Sequence, residues 1–175
     1  DGKAELNNAE HLLGTDTWDT ETAIKKELGE SEHSASVFGI GPAGENLIKF
    51  AGIVGDKGHA AAHNGCGAVM GNKKIKAVAV SRGKGSVPLF DKEKVSEQSK
   101  QMYEAVLSDP SSRGIHDWGT AYSFSGLVES GMLPVKNLNT NLFPEHARFK
   151  GQNYRQEFEL TPNPCWACRM HHLHL

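Results

Sequence analysis

The end of the chain carries its densest set of potential metal ligands. Cys165 and Cys168 stand at C-x2-C spacing, and His171, His172 and His174 follow closely. Two thiolates at this spacing can turn toward one metal, and soft sulfur with imidazole nitrogen selects zinc or an iron–sulfur cluster rather than magnesium or calcium. A C-x2-C-x3-C run can bind three corners of a tetranuclear iron–sulfur cluster, and His172 occupies the third position here. The pattern therefore predicts a metal centre.

Three interpretations of this centre stay open from the residues alone. Cys165, Cys168 and His172 could bind an iron–sulfur cluster whose fourth ligand comes from far away in the chain. The two cysteines and two of the histidines could instead form a closed tetrahedral zinc site, as in a non-enzymatic zinc-binding module. The thiols could also lie at the surface beside unrelated histidines, as in a purification-tag-like tail. Of these, we expect the cluster.

A second candidate site is a loop of small residues from His59 to Gly67 that leads into a short helix. Glycine and alanine let the backbone approach a ligand closely, and a helix N-terminus presents N–H groups to a phosphate, so the loop favours an anionic cofactor. Composition alone fits a tight structural turn better, because the glycines form neither G-x-G-x-x-G nor a Walker sequence. Cys66 by itself is typical of a small packing residue.

Two further patterns have simple structural interpretations. The turn at 41–46 contains Glu45, which could be a buried polar anchor. His116 and Asp117 could form an acid–base pair, but capping of the helix that follows is the simpler reason for them. Neither pattern identifies a catalytic residue.

Composition and charge narrow the class of protein. The chain has 175 residues, 38% of them hydrophobic, with a net charge of −2. These values exclude a disordered chain and give no overall attraction to nucleic acid. Runs without a charged residue, such as 59–72, are too short for a membrane span. Three cysteines suit a reducing compartment, so we expect a cytoplasmic protein with neither a membrane span nor a nucleic-acid partner.

Hydrophobic periodicity predicts the elements that position these sites. Strands are expected to dominate residues 1–85 and helices residues 86–175, with a linker near 82–88, so the expected fold class is α+β. The expected strands are 36–40, 46–54 and 75–80. The expected helices are 20–28, capped by Asp19 or Thr20; one that Asp91 caps and Asp109-Pro110 ends; and one from about 118 to 130, ended by Gly131. Because the chain starts without methionine and stops just after the Cys/His cluster, we expect a piece of a longer chain.

The runs 40–51 (IGPAGENLIKFA) and 65–77 (GCGAVMGNKKIKA) resemble the tungsten-containing aldehyde:ferredoxin oxidoreductase family. The later Gly119-Thr120, the run 131–137 (GMLPVKN) and the cysteine cluster agree with it in order and separation. The resemblance covers nearly the whole chain. It implies that residues 1–85 are the C-terminal part of a β-rich domain that forms a saddle over the cofactor, and residues 86–175 the start of a helical domain.

The family resemblance also implies a function. Such enzymes oxidise an aldehyde to a carboxylate, without oxygen, at a tungsten or molybdenum ion held by two pyranopterins, and pass electrons through a 4Fe–4S cluster to ferredoxin or an electron-transfer subunit. Carried onto this chain, the cluster ligands would be Cys165, Cys168 and His172, and the residues against a pterin phosphate and its bridging magnesium would be His59, Ala60, His63, Asn64, Gly65 and Gly67. A reductive branch, such as a benzoyl-CoA reductase subunit, is the alternative within the family, and the protein could form oligomers.

Two departures from the family pattern affect these sites. His59 and His63 stand where the family usually has arginine, which replaces a permanent cation for phosphate by one that titrates. His172 stands where the family usually has a third cysteine, and a histidine ligand would raise the reduction potential of the cluster. We therefore expect a pH-dependent hold on phosphate and an altered cluster, unless the cluster is replaced by another metal.

Overall fold

The structure is a computed structural model that describes residues 2–158, 161–165, 168 and 170. Residues 1–88 and 89–175 form two compact units. The first combines a four-stranded antiparallel sheet with helices, and the described part of the second is mainly helical. The predicted α+β class is confirmed. In the described part of the chain, no helix combines the length and apolar composition needed to cross a membrane.

The first unit is built around a small sheet. Its strands are β1 (Ala35–Gly39), β2 (Ile53–Gly55), β3 (His59–Ala61) and β4 (Ala77–Ser81), in the order β3-β2-β1-β4. Its helices are α1 (Thr17–Glu27), α2 (Pro42–Glu45) and α3 (Cys66–Asn72), with 3-10 turns at Glu10–Leu12 and His63–Gly65. Strand β1 pairs along its length with β4, which confirms the strands predicted at 36–40 and 75–80 to within two residues.

Helix α1 begins earlier than the sequence suggested. The carboxylate of Asp16 accepts hydrogen bonds from the backbone N–H groups of Trp18 and Asp19, at 2.9 and 2.8 Å. These bonds satisfy N–H groups that have no partner inside the helix. The prediction of Asp19 or Thr20 as the cap was therefore wrong.

The strand predicted at 46–54 is mostly wrong. Pro42 begins helix α2, and the side-chain amide of Asn46 donates to the Pro42 carbonyl oxygen at 2.8 Å, which closes a helical turn. Leu47 follows with a left-handed φ of 57°. Only Ile53–Gly55 joins the sheet, so most of this apolar run forms a turn. The predicted 59–67 loop also differs, because its first residues form strand β3.

Two ion-paired carboxylates, Glu21 and Glu45, connect α1 and α2 to the rest of the first unit. The ammonium of Lys25 donates to Glu21 at 2.7 Å, and the other Glu21 oxygen accepts from the backbone N–H of Lys57 at 3.0 Å. Lys76 donates to Glu45 at 2.5 Å, and Glu45 also accepts from the backbone N–H of Gly14 at 3.0 Å. Glu45 is therefore a polar anchor, as predicted, but it is half-buried rather than buried. Buried charges need such partners, since an unpaired one would be strongly destabilising.

The second unit starts with the longest helix. Its helices are α4 (Lys92–Ser108), α5 (Pro110–Trp118), α6 (Phe124–Glu129) and α7 (Gly151–Glu157), with 3-10 turns at Thr120–Ser123 and His146–Phe149. The Asp91 carboxylate accepts from the Lys94 N–H at 2.9 Å, which confirms the predicted cap of α4. The predicted end of α4 at Asp109-Pro110 and the left-handed Gly131 after α6 are also confirmed.

Helix α5 was missed by the sequence prediction, since the helix expected from about 118 to 130 corresponds to the 3-10 turn Thr120–Ser123 and α6. Pro110 occupies the first turn of α5, and the Asp109 carboxylate accepts from the Ser112 N–H at 2.7 Å. Proline is favoured at this position because its missing N–H has no helical partner there. His116 and Asp117 consequently lie in the last turns of α5 rather than capping a later helix, so the capping interpretation was wrong.

Acid should weaken the first unit partly through Glu45. Burial by itself would raise the pKa of Glu45, but hydrogen bonds from Lys76 and the Gly14 N–H, with the Lys76 charge, outweigh burial and lower the pKa below its ordinary value of 4.5. Such a carboxylate stabilises the fold above its unfolded-state pKa, and the contribution is lost as the pH falls through the folded-state pKa. We expect Glu45→Gln to lower the free energy of unfolding by about 2 kcal/mol at pH 7.

Denaturant unfolding between pH 3 and pH 7 measures this effect. The stability of Glu45→Gln should fall less steeply below pH 4.5 than that of the wild type, whereas the exposed control Glu5→Gln should follow the wild type. An acid dependence in Glu45→Gln equal to that of the wild type would contradict the assignment.

Candidate functional site

Helix α3 packs against the backbone of residues 44–52 through glycines. The Gly67 N–H donates to the Ala51 carbonyl oxygen at 2.8 Å. A Cβ on Gly67 would collide with the carbonyl oxygen of Gly52, and a Cβ on Gly71 would collide with that of Gly44. The two backbones therefore touch with no side chain between them, and any larger residue at either position would push them apart.

The turn before α3 depends on two left-handed residues. Asn64 has φ 64° and Gly65 has φ 68°. Asparagine tolerates this conformation better than most residues, and glycine adopts it without a steric cost. A Cβ on Gly65 would also collide with the carbonyl oxygen of Lys49. Gly65 and Gly67 are therefore needed for packing, and the Gly67 N–H is already used by Ala51.

Strand β3 and this turn present an open strip of small residues, 60–64. Ala60, Ala61, Ala62, His63 and Asn64 are exposed, and His59, just before the strip, is half-buried. The three alanines leave the backbone open to a ligand, while the two imidazoles can donate hydrogen bonds to an anion. These donors could bind the oxygen atoms of an anionic group.

The sequence analysis missed a contact of Cys66. The Cys66 thiol donates to the Ala61 carbonyl oxygen at 2.7 Å and so closes the loop across its base.

The sequence analysis also missed the local charge around the loop. The chain has no acidic residue from 57 to 90, although this stretch contains six lysine and arginine residues. That local charge asymmetry is visible in the sequence and supports an anion near the loop, whereas the net charge of the whole chain hides it.

The cysteine pair forms a turn. The Cys168 N–H donates to the Cys165 carbonyl oxygen at 2.9 Å. Such a four-residue turn brings its first and last Cα atoms within about 7 Å. Cys165 is exposed and Cys168 is half-buried, so both thiols are accessible to a shared metal. His172, the third predicted ligand, lies outside the described residues.

Across the described residues, no group of three or more His, Cys, Asp or Glu side chains is arranged to hold a metal ion. The residues of the 59–67 loop belong to the first unit and the cysteine pair to the second.

His116 and Asp117 form a polar cluster on helix α5. The Nδ1 atom of His116 lies 2.8 Å from one Asp117 oxygen, and the Arg113 guanidinium donates to the other at 2.8 Å. The hydrogen bond from His116, followed by that from Arg113, lowers the pKa of the Asp117 carboxyl. The cluster therefore keeps Asp117 ionised and binds it to its own helix.

Two sequence models of one family match the chain in consecutive order. Residues 1–82 match the N-terminal domain of aldehyde ferredoxin oxidoreductase, and residues 97–175 match its domains 2 and 3. Together they include both candidate sites.

Curated relatives and a solved structure agree with this match. The chain is 39% identical to the tungsten-containing aldehyde ferredoxin oxidoreductase of Thermococcus kodakarensis and 37% identical to that of Pyrococcus furiosus, over 96% of its length in each case. It spans about a quarter of these relatives, 27% of each. It is also similar to a chain of the active-site complex BamBC of benzoyl coenzyme A reductase with 1,5-dienoyl-CoA, with 30% identity, a TM-score of 0.51, and coverage of 74% of this chain and 25% of that one.

Substitutions at the packed Gly65 and the exposed His63 should differ in their effect on stability. Gly65→Ala should lower the free energy of unfolding by about 3 kcal/mol, because the methyl group is both strained at a left-handed φ and overpacked against Lys49. His63→Ala, at an exposed position two residues away, should change it by less than about 0.5 kcal/mol. Denaturant unfolding of both variants checks this, and equal stabilities would contradict the packing role of Gly65.

Proposed function

The chain belongs to the aldehyde ferredoxin oxidoreductase family, and we propose that it is part of a cytoplasmic, anaerobic tungsten bis-pyranopterin enzyme that oxidises an aldehyde to a carboxylate. When bound, the pterin-held metal would supply two-electron redox chemistry, and a 4Fe–4S cluster would supply single-electron transfer to ferredoxin or an electron-transfer subunit. The observation that carries this proposal is the exposed 60–64 strip, which is preceded and followed by glycine-packed backbone and lies in a stretch of sequence without acidic residues. The substrate and its catalytic groups belong to the whole enzyme.

Residues of the 59–67 loop would hold a pterin phosphate and its bridging magnesium. His59 and His63 would donate imidazole N–H groups to phosphate oxygens, and Asn64 would offer its side-chain amide. Ala60 leaves the backbone accessible, while Gly65 and Gly67 hold the strip against residues 49–52. In this arrangement the chain binds and orients the cofactor.

The cysteine turn would hold the iron–sulfur cluster. Cys165 and Cys168 would supply two thiolates, which the turn places on neighbouring positions, and His172 would supply a nitrogen. A zinc-binding module is the rival of a different class, since the same ligands suit zinc. Brown colour that dithionite bleaches would support the cluster, whereas a colourless protein that loses structure on chelation would support zinc.

A reductive reaction on an aryl-CoA thioester is the second candidate within the family. The similarity to the benzoyl coenzyme A reductase complex favours it. Dye reduction with aldehydes and with 1,5-dienoyl-CoA as electron donors would separate the two reactions in the full-length protein.

Removing one cluster thiolate should remove iron alone. We expect Cys168→Ser in the full-length protein, purified without oxygen, to lose most of its iron and keep most of its tungsten, because the pterins are bound elsewhere. Cys66→Ser is the matched control, since a hydroxyl can still donate to the Ala61 carbonyl. Metal analysis of both variants gives the answer, and an unchanged iron content in Cys168→Ser would show that Cys168 is not a cluster ligand.

The imidazole of His63 should contribute to cofactor retention. We expect His63→Ala to lower tungsten content after dialysis several-fold, and His63→Arg to restore it, because a guanidinium can also donate hydrogen bonds to a phosphate. The exposed His33→Ala is the control and should match the wild type. Equal tungsten retention in all four proteins would exclude a phosphate contact at His63.

A further inference from the structure

The turn from Ile48 to Ala51 lies directly beside the candidate cofactor loop. The Ala51 N–H donates to the Ile48 carbonyl oxygen at 2.9 Å and closes this turn. Its two central residues are Lys49 and Phe50, and both are exposed. A Cβ on Gly65 would collide with the Lys49 carbonyl oxygen and lie 3.5 Å from the Phe50 Cα. Lys49 is therefore a neighbour of the strip in space, although the two are distant in the sequence.

Backbone contacts fix this turn against the strip. The Gly67 N–H donates to the Ala51 carbonyl oxygen at 2.8 Å, just after the strip. Within the strip, the Ala62 Cα would lie 3.1 Å from a Cβ built on Gly52. None of these contacts involves the side chain of Lys49. Substitutions at Lys49 consequently change its ammonium group and leave the packing of the loop in place.

The Lys49 ammonium has no carboxylate near it in the sequence. From residue 46 to residue 90 the chain contains one acidic residue, Asp56. Its carboxylate accepts hydrogen bonds from the Ser36 hydroxyl at 2.9 Å and from the Val37 N–H at 3.2 Å, so it is held at the sheet. No hydrogen bond or ion pair among the described residues involves the Lys49 ammonium. Its positive charge is therefore available to an anion.

The other lysines near the strip in the sequence are engaged or lie farther away. The Lys57 ammonium donates to a hydroxyl of α1 at 2.9 Å. The Lys76 ammonium binds Glu45. The lysines at 73–74 follow α3, about 10 Å along that helix from the strip. Lys49 thus combines backbone contact with the loop and an ammonium that the described residues do not bind.

We propose that Lys49 binds the same phosphate as His63 and Asn64, with its ammonium as the permanent positive charge of the site. This inference rests on the proposed function, because it takes the strip to face a pterin phosphate. His59 and His63 stand where the family usually has arginine, so the 59–67 loop itself carries no permanent cation. A lysine ammonium binds phosphate as a point charge on a flexible four-carbon stem. The neighbouring turn would therefore supply the cation that the loop lacks.

Tungsten retention at two ionic strengths tests the proposal in the full-length protein, purified without oxygen. After dialysis at about 0.01 M ionic strength, we expect Lys49→Gln to hold about fivefold less tungsten than the wild type, and Lys49→Arg to match the wild type. At about 1 M, where salt screens the charge, the tungsten contents of Lys49→Gln and the wild type should converge. Lys73→Gln is the matched control, since it removes an exposed lysine beyond the far end of α3, and it should equal the wild type at both ionic strengths.

The outcomes separate this inference from the proposed function. Wild-type retention in Lys49→Gln at low ionic strength would overturn it, and so would a loss that Lys73→Gln shares or that high ionic strength leaves unchanged. If Lys49→Gln also lowers the melting temperature, Lys49→Met decides, because it keeps the stem without the charge: loss of tungsten at low ionic strength supports the proposal, and native content overturns it. An effect of His63→Ala without any at Lys49 would refute only the role of Lys49, whereas a wild-type protein without tungsten or molybdenum would refute the proposed function.

Discussion

Contact between two backbones is the constraint on which the candidate cofactor site depends. Helix α3 can reach residues 44–52 only because Gly67 and Gly71 have no side chains, and the turn before it can form only because Gly65 is left-handed and touches Lys49. This contact fixes both the start of α3 and the direction of the strip that precedes it. The small residues at 60–64 are thereby held open to a ligand by packing that lies behind them.

Charge supplies the second level of organisation. Lys76 and Glu45 connect the segment after α3 to α2 and the Gly14 region, while Glu21 connects α1 to the turn between β2 and β3. The carboxylates of Glu21 and Glu45 accept hydrogen bonds inside the fold. No acidic residue occurs in the sequence from 57 to 90. The strip therefore lies in a stretch of chain whose fixed charges are positive, which suits the phosphate groups of a pterin cofactor.

The sequence predicted those elements whose signals are local. The cap at Asp91 and the left-handed Gly131 depend on a few neighbouring residues, and both are confirmed. The strand at 46–54 failed because packing against α3, which lies later in the chain, decides its course. Helix α5 was missed because Pro110 was interpreted only as the end of α4, although proline also suits the first turn of a helix. In the site, spacing predicted the small-residue loop and the cysteine pair. It could not show that two of the glycines serve packing, since those contacts join distant residues.

Elemental analysis of the full-length protein, purified without oxygen from its native host, tests the central claim most directly. The tungsten, molybdenum, iron and zinc contents are measured together on one sample. We expect about one tungsten and about four iron atoms per chain. This result would show that a cluster assembles although His172 stands in place of a cysteine. Stoichiometric zinc without tungsten, molybdenum or iron would contradict it and assign the Cys/His cluster to a zinc-binding module.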